Sequence, residues 1–290
     1  FFLLLKVRPK LVVGFGGYLQ LPLILWARIL GIYSIIHEQT SVTGTANRYA
    51  GKFANRIFLS WPETMNLFEK DKVLLVGNLL RKGFYENQKV INNIFNNSKP
   101  IILFTGGNQG ANTINKRLFA FLPSILSNVN IIHQVGNSSI TKDFENAQSI
   151  FNNLPEDLKA SYKFFADDFE NFDDYMRMAN IIVSRSGANT VTEILALGKL
   201  AVLIPIPWSS QMEQQKNAEI VEKTGLGYIL KQYDDMPPEE LYNAIALALE
   251  KLISKKDFQN RDINLAIQQG AALVNPNAAK LIVENVFRLN

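Results

Sequence analysis

Short runs of apolar and β-branched residues alternate with longer amphipathic stretches along most of the chain. Runs at 11–15, 34–38, 56–60, 72–76, 100–105, 130–135, 162–165, 180–184 and 200–206 read as strands. Helical spacing of apolar positions recurs near 18–30, 45–54, 110–126, 168–179, 188–197, 211–224, 238–254 and 277–288. Strand and helix in alternation predict an α/β protein with parallel sheets covered by helices on both faces.

The alternation breaks once. Residues 86–99 are polar and rich in Asn, and a fresh strand, glycine and helix unit begins at Pro100. Two Rossmann-like domains facing each other across a cleft are therefore expected. Their bounds are 1–94 and 98–275, with 276–290 as a C-terminal helix returning toward the first domain.

Composition narrows the chemistry. With 290 residues, 47% hydrophobic and 19% charged, the chain can bury large cores, which excludes disorder. The absence of cysteine excludes a disulfide scaffold, a thiolate nucleophile and any metal site built on Cys, and two histidines, His37 and His133, cannot make a multi-histidine cage. The apolar runs 1–5 and 21–27 fall short of the ~20 residues a spanning helix needs. The run 1–5 has no basic segment before it and no small-residue cleavage site after it, so it does not read as a signal peptide.

The formal charge of +4 is unevenly spread. Lys6, Arg8, Lys10, Arg28, Arg48, Lys52 and Arg56 face Glu38 alone within residues 1–58, seven basic groups against one acid, or +6. Beside the apolar 21–26 stretch, this segment suits an anionic membrane surface, while a solvated basic face is the plainer alternative. The basic residues are dispersed and lack interleaved aromatics, so nucleic acid is not an expected partner.

Each half has a strand running into glycines: Val12-Val13-Gly14-Phe15-Gly16-Gly17-Tyr18 in the first, and Leu103-Phe104-Thr105-Gly106-Gly107-Asn108-Gln109-Gly110-Ala111 in the second. Such loops let backbone N–H groups approach an anion at the positive end of the next helix, although a tight turn alone would use the same residues. Leu19 stands where a dinucleotide fingerprint needs its third glycine, and Thr105 where it needs its first. Neither cluster is followed by Lys-Ser/Thr, so NAD-binding and P-loop readings are both disfavoured.

A third candidate is Ser184-Arg185-Ser186-Gly187-Ala188-Asn189-Thr190-Val191-Thr192-Glu193, where a buried strand ends in small polar residues as a helix begins. Ser186 can be a simple N-cap and Glu193 an acid favoured by the helix dipole. In the functional reading, the amides of residues 186–188 face a diphosphate and Glu193 accepts two ribose hydroxyls at once. Residues 205–218 follow a strong strand, at the end where α/β folds bind ligands, and their amides suit sugar hydroxyls. Adjacent carboxylates such as Asp167 and Asp168 point apart, so the pair is expected to cap the 168–179 helix and no metal is expected. His37-Glu38-Gln39 directly follows a strand; a histidine beside a carboxylate can serve as a general base or be purely structural.

Taken in order, Gly14 to Tyr18, His37-Glu38-Gln39, Val76-Gly77-Asn78 with Arg81, Gly106 to Ala111, Ser184 to Glu193 and Gln214-x-x-Asn217-Ala218 resemble the MurG family over essentially the whole chain. The resemblance implies a GT-B fold and an inverting transfer of GlcNAc from UDP-GlcNAc to lipid I, the undecaprenyl-diphosphate-linked acceptor of peptidoglycan synthesis. It also implies peripheral attachment at the cytoplasmic face of the bacterial membrane, no cofactor, and helix N-termini in place of a metal. The amino-terminal domain would take the acceptor, through Gly14, Gly16, Gly17, Tyr18, Gln39 and Thr40. The carboxy-terminal domain would take the donor, through Gly107, Asn108, Gln109, Gly110, Ser186, Gly187, Ala188, Thr190 and Asn217. Arg81 matches a family arginine near the donor, Ala166 a position whose backbone meets the uracil, Glu193 the ribose-binding acid, and Gln214 a sugar-reading glutamine.

His37 and Glu38 are the catalytic candidates within the chain. The family also carries an earlier Gly-Gly-Thr-Gly-Gly-His loop whose histidine is a favoured base, and this sequence starts past it, so the first domain is expected to be incomplete. Three positions depart from the family pattern: Thr40 for Asn, Asn108 for Ser, and Glu213 for Gln. Rival readings are a related transferase with another lipid acceptor and a silent nucleotide-sugar-binding, membrane-docking protein.

Overall fold

A computed structural model describes residues 1–85, 93–107 and 110–287. Its strands are β1 (Leu11–Gly14), β2 (Tyr33–Glu38), β3 (Arg56–Leu59), β4 (Val73–Leu75), β5 (Ile101–Thr105), β6 (Asn130–Gln134), β7 (Tyr162–Phe165), β8 (Ile181–Ser184), β9 (Leu200–Leu203) and β10 (Gly227–Ile229). They form two sheets, ordered β1-β2-β3-β4 and β10-β9-β8-β5-β6-β7. Every pairing in both sheets is parallel.

The helices on the first sheet's segment are α1 (Phe2–Val7), α2 (Gln20–Ile29) and α3 (Thr45–Ala50). Those of the second are α4 (Asn112–Ile125), α5 (Asp143–Asn153), α6 (Glu156–Lys159), α7 (Phe172–Met178), α8 (Ala188–Leu197), α9 (Glu213–Thr224), α10 (Pro238–Ser254) and α11 (Ile263–Ala272), followed by α12 (Ala278–Phe287).

Local sequence accounts for most of this. All residues of β5, β6, β8 and β9 are buried, as parallel strands covered on both faces must be, which is why they read as apolar runs rather than alternations. Helix α4 buries Ile114, Leu118, Leu122 and Ile125, one stripe at helical spacing. Helix α8 ends at Gly198, whose φ of 62° is left-handed and where a Cβ would meet the Ile267 side chain at 2.8 Å. After the second sheet is complete, the chain returns: Leu281, Ile282 and Val286 of α12 pack on Ile35, Phe58 and Val76 of the first.

The pattern missed α1, α5, α6, α11 and β10. Of the eleven residues of α5 only Asp143 and Ala147 are fully buried, although Ile150 and Phe151 also pack against the core, and β10 has three residues. The expected cap at Asp167 and Asp168 is corrected: α7 begins at Phe172 with Asn171 at its N-cap. Asp168 lies one turn earlier and accepts from Asn171 Nδ2 (2.9 Å) and Tyr175 Oη (2.8 Å). Part of the 21–26 stretch is core. Ile24 is fully buried, and Leu21 packs with it. Exposed apolar side chains flank it at Leu19 and Ile29 and recur in α1, with Phe2, Leu3 and Val7 open to solvent and the Phe1 ring tilted against Trp26 at 4.7 Å. Among the described residues, no helix is long and apolar enough to cross a membrane.

Candidate functional site

The carboxyl ends of both sheets open onto one cleft of about 710 Å³. Its walls come from the residues just past β1 (Phe15, Gly16, Gly17), from the end of β2 and beyond (Glu38, Gln39, Thr40), from the ends of β5 and β6 (Thr105, Gly107, Gln134), and from the start of α8 (Gly187 to Thr190, Glu193). Arg81, Phe169, Phe172 and Glu213 complete much of the lining. Ligands in open α/β sheets bind at this end.

On the second sheet's side, β8 runs into α8 with Gly187 at the N-cap and no side chain satisfying the first amides. The first N–H groups of a helix have no intrahelical partner, and here residues 187–190 face the cleft. Glu193, in the second turn of α8, is 6% exposed. Burial pushes its carboxyl above the usual range, and the Arg81 guanidinium, Nη2 3.1 Å from Oε1, opposes that shift. Arg81 also reaches Asp173 at 2.9 Å and lies over the rings of Phe84 and Phe172, each 5.2 Å away.

Across from α8, the glycine loop after β5 leads into α4, whose first turn is also uncapped by a side chain. Gly107 N donates to Thr105 Oγ1. Gly110 has a φ of 75°, and a Cβ there would meet Val135 O at 2.1 Å, so the loop lies flat against the end of β6. Gly110 itself does not line the cleft, and Asn108 and Gln109 lie outside the described residues.

Three other donor-side candidates do not line the cleft. Ser186 is fully buried and its hydroxyl donates to Gln214 O at 2.7 Å. The Gln214 side chain accepts from Ile206 N at 3.0 Å. Asn217, 1% exposed, donates to Ser186 O and accepts from Ser41. Ala166 contributes its carbonyl to Gly136 N and does not line the cleft.

On the first sheet's side, Glu38 organises a loop. Its Oε1 accepts from Thr40 N and Oγ1, and its Oε2 from Gly44 N and Asn47 Nδ2, at 2.9–3.2 Å. Asn47 then bonds Gln20, whose Oε1 accepts from Gly16 N at 2.7 Å, so the glycine loop and the 39–44 loop share one polar network. His37 is 1% exposed and does not line the cleft; its ring lies near Gly77 O (3.1 Å) and Ser60 Oγ (3.3 Å). Burial lowers its pKa, partly offset by the Gly77 carbonyl. Gly14 is buried, and Tyr18 is 88% exposed and outside the cleft.

Glu213 faces Glu38 from the opposite side, and burial followed by the Glu38 charge raises its pKa. Sequence reasoning missed the cleft aromatics Phe169 and Phe172, and Gln134 and Asn189; the aromatics next to Asp168 were the available signal. Among the described residues, no cluster of three or more His, Asp or Glu has metal-holding geometry.

Two parallel α/β sheets whose strand ends enclose one cleft define the GT-B class of glycosyltransferase fold. Residues 101–274 match the Glycosyltransferase family 28 C-terminal domain, and residues 1–59 its N-terminal domain. The chain belongs to glycosyltransferase family 28.

It is 32% identical over 295 residues to a protein of Citrifermentans bemidjiense, covering 99% of this chain and 76% of that one. It is also 32% identical over 254 residues to one of Desulfotalea psychrophila, covering 86% and 66%. Both are named UDP-N-acetylglucosamine--N-acetylmuramyl-(pentapeptide) pyrophosphoryl-undecaprenol N-acetylglucosamine transferase. The chain thus spans about two thirds to three quarters of these relatives' length. Among solved structures, Acinetobacter baumannii MurG superposes with a TM-score of 0.69 at 25% identity, covering 99% of this chain and 75% of that one. A UDP-GlcNAc 2-epimerase from Neisseria meningitidis shares the fold alone, with a TM-score of 0.65 at 13% identity and coverage of 99% and 78%.

Proposed function

We propose that this chain transfers GlcNAc from UDP-GlcNAc, with inversion, to the 4-hydroxyl of the muramoyl sugar of an undecaprenyl-diphosphate-linked pentapeptide acceptor. The relatives' names supply the substrates. One observation about this chain carries the reading: α8 presents free amides at 188–190 and a buried carboxylate at Glu193 along the same cleft wall. At ~1.5 Å of rise per residue these lie about 5–8 Å apart along the helix, which suits a diphosphate and the ribose beside it.

The acceptor hydroxyl gives its proton to a base and its oxygen bonds to the anomeric carbon as the bond from that carbon to the diphosphate oxygen breaks, its electron pair leaving with UDP. Negative charge grows on the diphosphate, where fixed N–H dipoles at Gly187 to Thr190 stabilise it. Arg81 favours the charged form of Glu193, which accepts both ribose hydroxyls. Phe169 and Phe172 offer aromatic faces for the base. The bonds of the Ser186 and Gln214 side chains to backbone groups support roles in holding the turns rather than in touching sugar directly.

His37 and Glu38 support the acceptor-side loops. Burial disfavours the charged form of His37, and all the hydrogen bonds at Glu38 go to its own loop and α3. We assign residues 1–94 to the acceptor side, 98–275 to the donor side and 276–290 to the returning C-terminal helix. The exposed apolar side of α1 with Lys6, Arg8, Lys10 and Arg28 supports peripheral attachment to the anionic cytoplasmic face of a membrane.

Titration calorimetry with UDP-GlcNAc, UDP and other nucleotide sugars tests the donor half. UDP-GlcNAc binds, and UDP competes with it. Transfer of labelled GlcNAc to the lipid-linked acceptor by the full natural polypeptide, giving a β-linked product, tests the reaction. No uridine-nucleotide binding, or a product with retained configuration, overturns the proposal.

A further inference from the structure

Asn217 is buried at 1% exposure in the first turns of α9, outside the cleft, yet its three hydrogen bonds join the two halves of the protein. Its Oδ1 accepts from Ser41 Oγ (3.0 Å) and Ser41 N (3.3 Å), and its Nδ2 donates to Ser186 O (3.2 Å). Ser186 is in turn tied through its hydroxyl to Gln214 O. The loop bearing Ser41 is itself stiff, because Glu38 gathers Thr40, Gly44 and Asn47 around one carboxylate.

The position of this contact matters. Other bonds between the halves gather near the two connecting segments, as with Asn78 to Thr192 Oγ1, Arg177 to Gly83 O and Asn275 to Val76 O. Ser41 and Asn217, 176 residues apart in sequence, meet on the 39–44 loop side of the 186–190 turn, while Asn78 reaches the same turn from the connecting segment through Ala188 O at 3.3 Å.

We propose that Asn217 is a positioning residue, a latch that couples closure of the 39–44 loop to the anion-binding turn at 186–190. With Ser41 engaged, the amide of Asn217 is oriented to hold the Ser186 carbonyl, and so fixes the turn whose following amides face the cleft. The acceptor-side wall at Gln39 and Thr40 and the donor-side wall at Gly187 to Thr190 then reach their working separation together. The kinetic consequence rests on the transferase reading; the mechanical one does not.

The test has two arms. In the full natural polypeptide, Ser41→Ala lowers kcat about threefold to tenfold, the population change that one lost neutral hydrogen bond permits, and leaves KM for UDP-GlcNAc unchanged. Ser41→Thr, which keeps a hydroxyl, restores kcat. Adding Ser41→Ala to Asn217→Ala costs nothing further, since both remove one link. Wild-type kcat in Ser41→Ala, or multiplied losses in the double variant, overturns the proposal.

The second arm uses the absence of cysteine. Spin labels at Tyr49→Cys and Ile253→Cys, both exposed sites in different halves, report the distance between them without any substrate. Ser41→Ala broadens that distribution toward longer distances while melting temperature stays constant, and an unchanged distribution overturns the latch. If UDP-GlcNAc neither binds nor turns over, the transferase reading fails, and the distance measurement still decides the latch.

Discussion

Arg81 and Glu193 come from opposite sides of the connecting segment and meet with Nη2 3.1 Å from Oε1. The Glu193 side chain is almost wholly buried, so its charge depends on this contact: burial raises its pKa, and the guanidinium opposes the rise. Phe84 and Phe172 hold the guanidinium between them, and Asp173 takes its other nitrogen. The ion pair therefore favours the charged form of a carboxylate that burial alone would push toward the neutral acid.

Glu193→Ala is expected to weaken UDP-GlcNAc binding by ~1–3 kcal/mol, because two hydroxyls of the bound ribose lose their acceptor while remaining desolvated. Calorimetry on wild type and variant reads this directly. Equal affinity would remove Glu193 from the donor site.

Removing the cation should produce a pH effect instead of a plain loss. In Arg81→Gln, burial and the Asp173 charge both push the Glu193 carboxyl up with no nearby cation opposing them. The protonated acid has less accepting capacity, so the pH range over which donor affinity rises lies higher in the variant than in the wild type. Binding constants measured across that range check it; parallel curves would show that Arg81 does not control the Glu193 proton.

Much of this arrangement was legible in the residues. The strand and glycine patterns placed Gly16, Gly107 and Gly187 to Thr190 at strand ends, and those positions line the cleft. What could not be read was direction. Ser186, Gln214 and Asn217 have side chains of the right chemistry, but the turn into α8 and the start of α9 point them at each other's backbone, a tertiary outcome with no signature in spacing. His37 likewise sits on β2 with the strand alternation carrying its ring to the packed face while Glu38 goes to the cleft. Helix α5 went unread although Phe144, Ala147, Ile150 and Phe151 recur at helical spacing and Ile150 and Phe151 pack against the core.

Membrane contact should depend on α1 more than on the 21–26 stretch, since Phe2, Leu3 and Val7 are exposed whereas Ile24 is fully buried. Phe2→Ser with Leu3→Ser is expected to reduce sedimentation with phosphatidylglycerol vesicles, and Lys6→Gln with Arg28→Gln to make what remains insensitive to salt. Vesicle binding unaffected by either pair would leave α1 as a surface for something else.

His133 should make the fold acid-sensitive. Its ring is fully buried between Tyr162 Oη at Nδ1 (3.0 Å) and Asn115 Oδ1 at Nε2 (2.9 Å). The Asn115 amide nitrogen already donates to Val135 O and Asp143 Oδ2, which fixes the orientation of that side chain and makes its oxygen the acceptor. Nε2 therefore carries the proton, and Nδ1 accepts from the tyrosine, whose own pKa burial raises. Protonating Nδ1 would break that bond inside the core, and desolvation pushes the His133 pKa down to about 3. The unfolded chain binds this proton near 6.5 and the folded one does not, so the contribution is complete above pH 6.5 and is lost as pH falls toward the folded value. The slope approaches ~1.4 kcal/mol per pH unit, or about 2 kcal/mol lost by pH 5. His37, also lowered by burial, acts in the same direction. Comparing urea midpoints at pH 7.5 and 5.0 for wild type and His133→Gln isolates the effect, because every other titrating group is common to both. The wild type should lose roughly 2 kcal/mol more than the variant on acidification; equal losses would mean that the ring can take up a proton without leaving its site.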